Sequence, residues 1–209
     1  MNQPPRFWRT TLAVGMLGLA SACSVLPEAQ IKDSYRLPLA SFPAQAAQSV
    51  QIPSSLQVAT PHGGHLLEGR RLLVIRPDNQ INAYKGVQWS EPPPVLMQHR
   101  ILDAFRADGR IKSISNDAAS VQSDIELHSD LRGFHVEYHG KRPFVRVQLD
   151  TSLVTTAARR IIATRSFAVE LPAKSVQIPD IIEAFGAATD QLALEIVEWA
   201  VTSAATATR

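Results

Sequence analysis

Cys23 is the only cysteine in the 209-residue chain, and the residues ahead of it decide what its thiol can do. The chain opens with Arg6 and Arg9 and no acidic group, continues with the apolar run from Thr11 to Ala20, and reaches Ser21-Ala22-Cys23. A positive start, a short apolar stretch and a small-residue exit describe a secretory signal peptide. The run is too short to cross a bilayer core, which takes about 20 apolar residues. A cysteine directly after that exit turns it into a lipoprotein processing site, with cleavage between Ala22 and Cys23. The thiol then receives a diacylglycerol and the freed amine a further acyl chain. Ser21, Ala22 and Cys23 fit the motif, while Ala20 stands where leucine is commonest and Leu19 lies one position upstream. One acyl chain holds a protein to a bilayer only marginally, whereas two or more anchor it stably.

The six histidines are the next candidates, as metal ligands. His135 and His139 would share a helical face, but the alternation around them is that of a strand. Four residues of strand cover about 13 Å, too far for one zinc with bonds near ~2 Å. His62 and His65 flank Gly63-Gly64 in a turn-rich segment, with no HExxH motif or cysteine pair to complete a site. The expectation is no metal and no cofactor. The sequence also lacks a phosphate-binding loop, a dinucleotide glycine fingerprint and a Gly-x-Ser-x-Gly elbow. Asp124, Glu126, Asp130 and Glu137 fall mostly on the polar sides of strands, so no catalytic residues are assigned and the chain does not read as an enzyme.

One segment, Tyr84 to Pro94, has the character of a contact surface. Trp89 and Glu91 precede three prolines at a helix entry, and tryptophan is enriched in binding hot spots. Trp89 and Glu91 are therefore candidate partner contacts. The competing and preferred reading is that Trp89 staples the strand–helix junction to the core. Trp199 reads as packing.

Charge and composition narrow the partners. Of the 21 basic residues, Arg6 and Arg9 leave with the leader, and the remaining 19 are balanced by 19 acidic ones. Nucleic-acid binding calls for a clustered positive surface, and nothing here supplies one. Hydrophobic residues make up 45% of the chain, enough to bury a core. With its sole cysteine acylated, the protein has no disulfide and depends on packing.

The elements that must position these residues follow from periodicity. Ser24 to Lys32 reads as a tether that spans roughly 30 Å when extended. Tyr35 to Leu39 is a first edge strand, a place that tolerates Pro38. Ser55–Ala59 and Arg71–Ile75 are strands, the second nearly all apolar and so central. Pro61 to Gly64 is a loop between them. Gln80–Tyr84 completes a hairpin across Pro77-Asp78-Asn79. Prolines at one end and Gly109 at the other bound a helix from Val95 to Asp108. Its buried face is Met97, Ile101, Ala104 and Phe105, with Asp103, Arg106 and Asp108 elsewhere around it.

Ile125, Leu127 and Leu131 occupy odd positions and Phe134, Val136 and Tyr138 even ones, so the phase changes at Gly133 and a bulge is predicted there. Alternation resumes from Val145 to Leu153 after the Gly140–Pro143 turn. It continues through Ile161, Ala163, Phe167 and Val169 after Ala157–Arg160. A second helix runs from Pro179-Asp180 to about Thr202, with Ile181, Phe185, Ala188, Leu192, Ile196 and Trp199 on one side. Ser203 to Arg209 is expected to fray. The result is one α/β domain, a mixed and largely antiparallel sheet with a three-strand meander, covered by two main amphipathic helices.

In this order and spacing the chain resembles the ABC-type transport auxiliary lipoproteins (the PqiC-like group). The resemblance rests on the lipidation motif, Tyr35-Arg-Leu, the block from Tyr84 to Pro92, the helix ending near Gly109, Asp124-Ile-Glu-Leu127, and the closing helix from Ile182-Glu-Ala-Phe185 to Trp199. It implies a leader over 1–22, a lipidated cysteine with a flexible tether over 23–34, and the auxiliary lipoprotein domain over 35–209. It further implies a non-catalytic subunit that accompanies an MCE-domain protein and an ABC-type transporter moving lipids between inner and outer membranes. Ser24 after the lipidated cysteine then reads as an outer-membrane address, with the domain facing the periplasm. A homo-oligomer is compatible with this role. Two other functions stay open: a periplasmic carrier holding a lipid between helix and sheet, and an envelope assembly or secretion pilot lipoprotein unrelated to lipid transport.

Overall fold

The predicted strands pair into one mixed sheet whose organising element is a single long strand. The computed structural model describes residues 32–43, 52–111, 113–119 and 121–207. Ala22, Cys23, the leader and most of the tether lie outside the described residues. Eight strands are described: β1 (Asp33–Tyr35), β2 (Leu56–Val58), β3 (Arg71–Ile75), β4 (Ile81–Trp89), β5 (Ile114–Asn116), β6 (Ile125–His139), β7 (Arg142–Thr155) and β8 (Arg160–Pro172). Three helices accompany them: α1 (Gly64–Leu67), α2 (Pro93–Asp108) and α3 (Ile178–Ala207).

The meander of β6, β7 and β8 is antiparallel throughout. Because β7 takes one whole edge of β6, two other strands share its opposite edge. β2 pairs in parallel with Ile125–Leu127, and β3 pairs in parallel with His135–Glu137. Between them the chain touches β6 once more, where His62 bridges Asp130. β5 extends the sheet beside β2, while β4 and then β1 extend it beside β3. The predicted bulge is present, as a register shift between Leu131 and Gly133. It falls where the edge partner of β6 changes from one strand to the other.

One face of the sheet is spent on the core. Val145, Val147, Leu149 and Leu153 on β7 are buried against α3, as alternation along a half-covered strand requires. Met97, Ile101, Ala104 and Phe105 of α2 and Ile181, Phe185, Ala188, Leu192 and Ile196 of α3 are all essentially inaccessible. Gly109, at φ 72°, closes α2 in the left-handed conformation that glycine adopts without a steric penalty.

Five expectations need correction. The first strand ends at Tyr35, because the chain then crosses the helices as a strap. Arg100 Nη2 donates to the Pro38 carbonyl oxygen at 2.6 Å, and the Ser41 N–H donates to Asp190. The predicted loop from Pro61 gives way at Gly64 to the one-turn helix α1. Asp108 is not solvated but buried under Arg110, which grips it through two nitrogens. Ile161 is exposed because a second register shift, between Leu153 and Val154, puts its strand out of phase. The last helix does not fray at Ser203 but runs to Ala207, since Ala204 still packs in the core.

Candidate functional site

The sheet's other face, away from α2 and α3, carries its own short apolar stripe. Leu73 and Ile75 alternate onto it from β3 and lie across from Ala83 and Ile81 of β4. Their neighbours on β6 are His135 and Glu137. α1 lies over the gap between β2 and β3, with Leu67 buried and Leu66 turned outward. Gly63 is essential to that approach. A Cβ there would come 2.8 Å from Pro94 and 2.9 Å from Leu67, so a side chain would force α1 away.

These elements enclose a groove of about 560 Å³ with Leu67, Leu73 and Ile75 in its floor. Leu66 and Ile81 stand at its margin with 42% and 44% of their surface exposed, and their joining to the apolar floor, rather than their exposure alone, makes them a patch. The polar rim is His62, His65, Asp130 and Arg132, with His135 at the inner end. His135 is largely buried, and its Nε2 lies 2.9 Å from a Glu137 carboxylate oxygen. The lining residues include imidazoles, a carboxylate and a guanidinium but no hydroxyl or thiol. Apolar floor and polar rim together suit an amphipathic segment.

The sequence candidates distribute as follows. His62 and His65 both line the groove rim, where His62 Nδ1 lies 4.0 Å from Glu68 Oε1. Asp124 is a clasp rather than an acid or base. It accepts from the Ser55 N–H and hydroxyl at 2.7 and 2.8 Å, which hold its carboxyl below the usual aspartate range. Glu126 is hydrogen-bonded to His128, and Asp130 sits at the rim. A residue that pattern reading missed, Asp117, ties the end of β2 to α2. Burial pushes its carboxyl up, but donors from Thr60 and Gln98 outweigh that and leave it lowered.

Trp89 is corrected as a partner contact. It is wholly buried, edge-on to Phe134 at 5.4 Å and to Phe185 at 5.1 Å, so its ring is not available to another molecule. Glu91 is exposed. Trp199 is packing, as expected, against Phe167 at 5.6 Å. Cys23 and Ala22 lie outside the described residues.

The comparisons bear on what such a domain is. A model of the family described as the ABC-type transport auxiliary lipoprotein component matches residues 35–197. The crystal structure of protein XCC0632 from Xanthomonas campestris superposes with a TM-score of 0.76 at 23% identity, over 83% of this chain and 98% of that one. The hypothetical protein CT253 from Chlamydia trachomatis superposes at 0.51 with 7% identity, over 73% of this chain and 98% of that one. At such identities these structures share the fold. A protein of Bradyrhizobium diazoefficiens, bll6063, is 24% identical over 151 residues, which are 72% of this chain. The chain spans only about 40% of the length of that relative.

Proposed function

We propose a specific role for this chain, which belongs to the ABC-type transport auxiliary lipoprotein family: it docks a partner of the transport system in the groove between α1, β3 and β6. As a family member it is an auxiliary lipoprotein component of an ABC-type transport system, anchored in the cell envelope, in a family that is generally non-catalytic. The finer assignment is an outer-membrane subunit facing the periplasm. It receives an MCE-domain protein in a system that moves lipids between the two membranes. Acylated Cys23 supplies the anchor after cleavage behind Ala22, and residues 23–32 supply the reach, because Asp33 and Ser34, expected in the tether, already pair with β4 in the docking domain. Self-association would multiply weak contacts.

The observation that carries this reading is the division of labour between the two faces. The helix-covered face is filled by side chains, with Trp89, Phe105, Phe134, Phe185 and Leu192 fully buried. A lipid held between helix and sheet would need a sizeable apolar pocket there. The open face instead presents exposed Leu66 and Ile81 beside a polar rim, the pattern of an apolar contact with a solvated border.

The test is affinity purification from crosslinked, detergent-solubilised membranes. Wild type is compared with Cys23→Ser, which loses the anchor, and with Ile81→Asp, which charges the groove margin. An MCE-domain protein should be recovered with wild type and weakened in both variants. Recovery of secretion or wall-synthesis components instead would move the chain to the pilot class. Native mass spectrometry that finds a stoichiometric co-purified lipid would support the carrier role against this one.

A further inference from the structure

Beyond the groove, the open face gathers a second set of side chains with the composition of a metal site. Glu137 and His139 are two residues apart on β6 and so share one face of the strand. Glu170 reaches the same place from β8, two strands away. The spacing argument that rules out His135 with His139 does not apply to ligands brought together across a sheet. His139 Nε2 lies 3.7 Å from Glu170 Oε1. One potential ligand atom from each of Glu137, His139 and Glu170 falls within 4.8 Å of the others. Tetrahedral zinc, with bonds near ~2.0–2.2 Å, holds its ligand atoms roughly 3.3–3.6 Å apart. Closing the set takes rotamer adjustments of about 1 Å on half-exposed side chains, with the backbone unmoved.

The surroundings hold each of the three in place. The His139 ring stacks on Phe144 at 4.4 Å and 29°. Glu137 uses one oxygen to bond His135 Nε2 at 2.9 Å. Glu170 Oε2 accepts from Arg146 at 3.3 Å, which leaves Oε1 toward His139. Each carboxylate thus has one oxygen fixed by an outer partner and another free, the arrangement that orients carboxylate ligands around metals. Two carboxylates this close repel one another, and one guanidinium on one of them only partly offsets that. A divalent cation would remove the repulsion.

We propose that Glu137, His139 and Glu170 bind one zinc-class divalent cation, with water completing the coordination. One imidazole with two carboxylates suits zinc, whereas magnesium and calcium favour all-oxygen sets. The bound ion ties β6 to β8 across β7. The site is independent of the docking role, although His135 links it to the inner end of the groove.

The experiment is a calorimetric titration of zinc chloride into the full chain in detergent after chelator treatment, with magnesium chloride as the comparison. Wild type should take up one zinc and no magnesium. His139→Ala and Glu170→Gln should each weaken zinc binding at least tenfold. Zinc should raise the thermal unfolding midpoint of wild type but not of His139→Ala. His139 and Glu170 are exposed enough for both variants to fold, which far-UV circular dichroism checks. His65→Ala, at the groove rim, should bind as wild type does. Failure to bind zinc, unchanged binding in both ligand variants, or loss of binding in His65→Ala would each overturn the assignment.

Discussion

Replacing Trp89 separates a packing role from a contact role, and the structure sets the size of the effect. The indole is fully buried and edge-on to Phe134 and Phe185, which stack on each other at 4.8 Å. Truncating a buried aromatic to alanine costs about 3–5 kcal/mol. Each edge-on pair carries ~0.5–1.5 kcal/mol beyond area burial. Loss of the unpaired indole N–H offsets much of the pair term, so Trp89→Ala should cost about 3–4 kcal/mol, a large part of the roughly 5–15 kcal/mol that holds a domain together. Trp89→Phe should behave quite differently. The indole Nε1 is buried with no hydrogen-bond partner among the described residues, and leaving such a group unpaired costs about 1–3 kcal/mol. Phenylalanine removes that penalty and keeps most of the ring contact, at a loss of about 1–2 kcal/mol in buried apolar area. The two terms nearly cancel, so the net change should stay within about 1 kcal/mol, or ~2–4 °C in midpoint for a domain of this size. Urea unfolding followed by circular dichroism reads both values. Trp89→Ala costing less than about 2 kcal/mol, or Trp89→Phe costing as much as Trp89→Ala, would refute the reasoning.

Three further outcomes follow from the helix side and the clasps. Arg100 is 5% exposed and bonded to Asp190 at 2.7 Å, so Arg100→Met strands a partly buried carboxylate. It should destabilise by about 3–5 kcal/mol, and the double replacement Arg100→Met/Asp190→Leu should recover most of that in urea unfolding. Gly186→Ala would gain about 1 kcal/mol on an open helix surface, but here its Cβ would sit 2.9 Å from Pro38. Stability should fall instead, with faster proteolysis in the strap over residues 36–43. Asp117 and Asp124 are held below their ordinary value of 3.8, so their stabilisation is present above that value and lost as pH falls through the folded one. Asp190 runs the other way: burial raises its carboxyl despite Arg100, and its contribution is lost as pH rises through the folded value. The difference between wild type and Asp117→Asn, measured by urea unfolding from pH 7 to pH 3, isolates Asp117 and should shrink below about pH 4.

The sequence was most legible where one local rule acted alone. The meander, the helix between Pro93 and Gly109 and the bulge at Gly133 each follow from a period, a cap or a phase change within a few residues. Errors arose where a distant group overrode the local pattern. Pro38 left the edge strand because Arg100, 62 residues away, claims its carbonyl. Ile161 lost its place because the register shift lies in the pairing with β7, and alternation within one strand cannot display a pairing fault. Asp108 reads as a surface charge until Arg110 folds back on it. Trp89 shows the limit of composition: an aromatic beside a carboxylate and prolines suits a hot spot and a core staple equally, and burial alone decides between them.

The groove was invisible in the sequence for a reason that also explains its existence. A strand as long as β6 needs an edge partner along its whole length, and β2 and β3, with three and five residues, can cover only part of it each. The chain spends the interval between them on His62 and α1, at the level where the Leu131–Gly133 shift re-aims β6. Beside that junction the open face is covered only by the single turn of α1, so Leu66, Ile75 and Ile81 border open space. A continuous edge strand in place of β2 and β3 would satisfy more backbone hydrogen bonds and would close the groove. Keeping the edge divided forgoes that stability, and the groove on the open face is what it leaves in return.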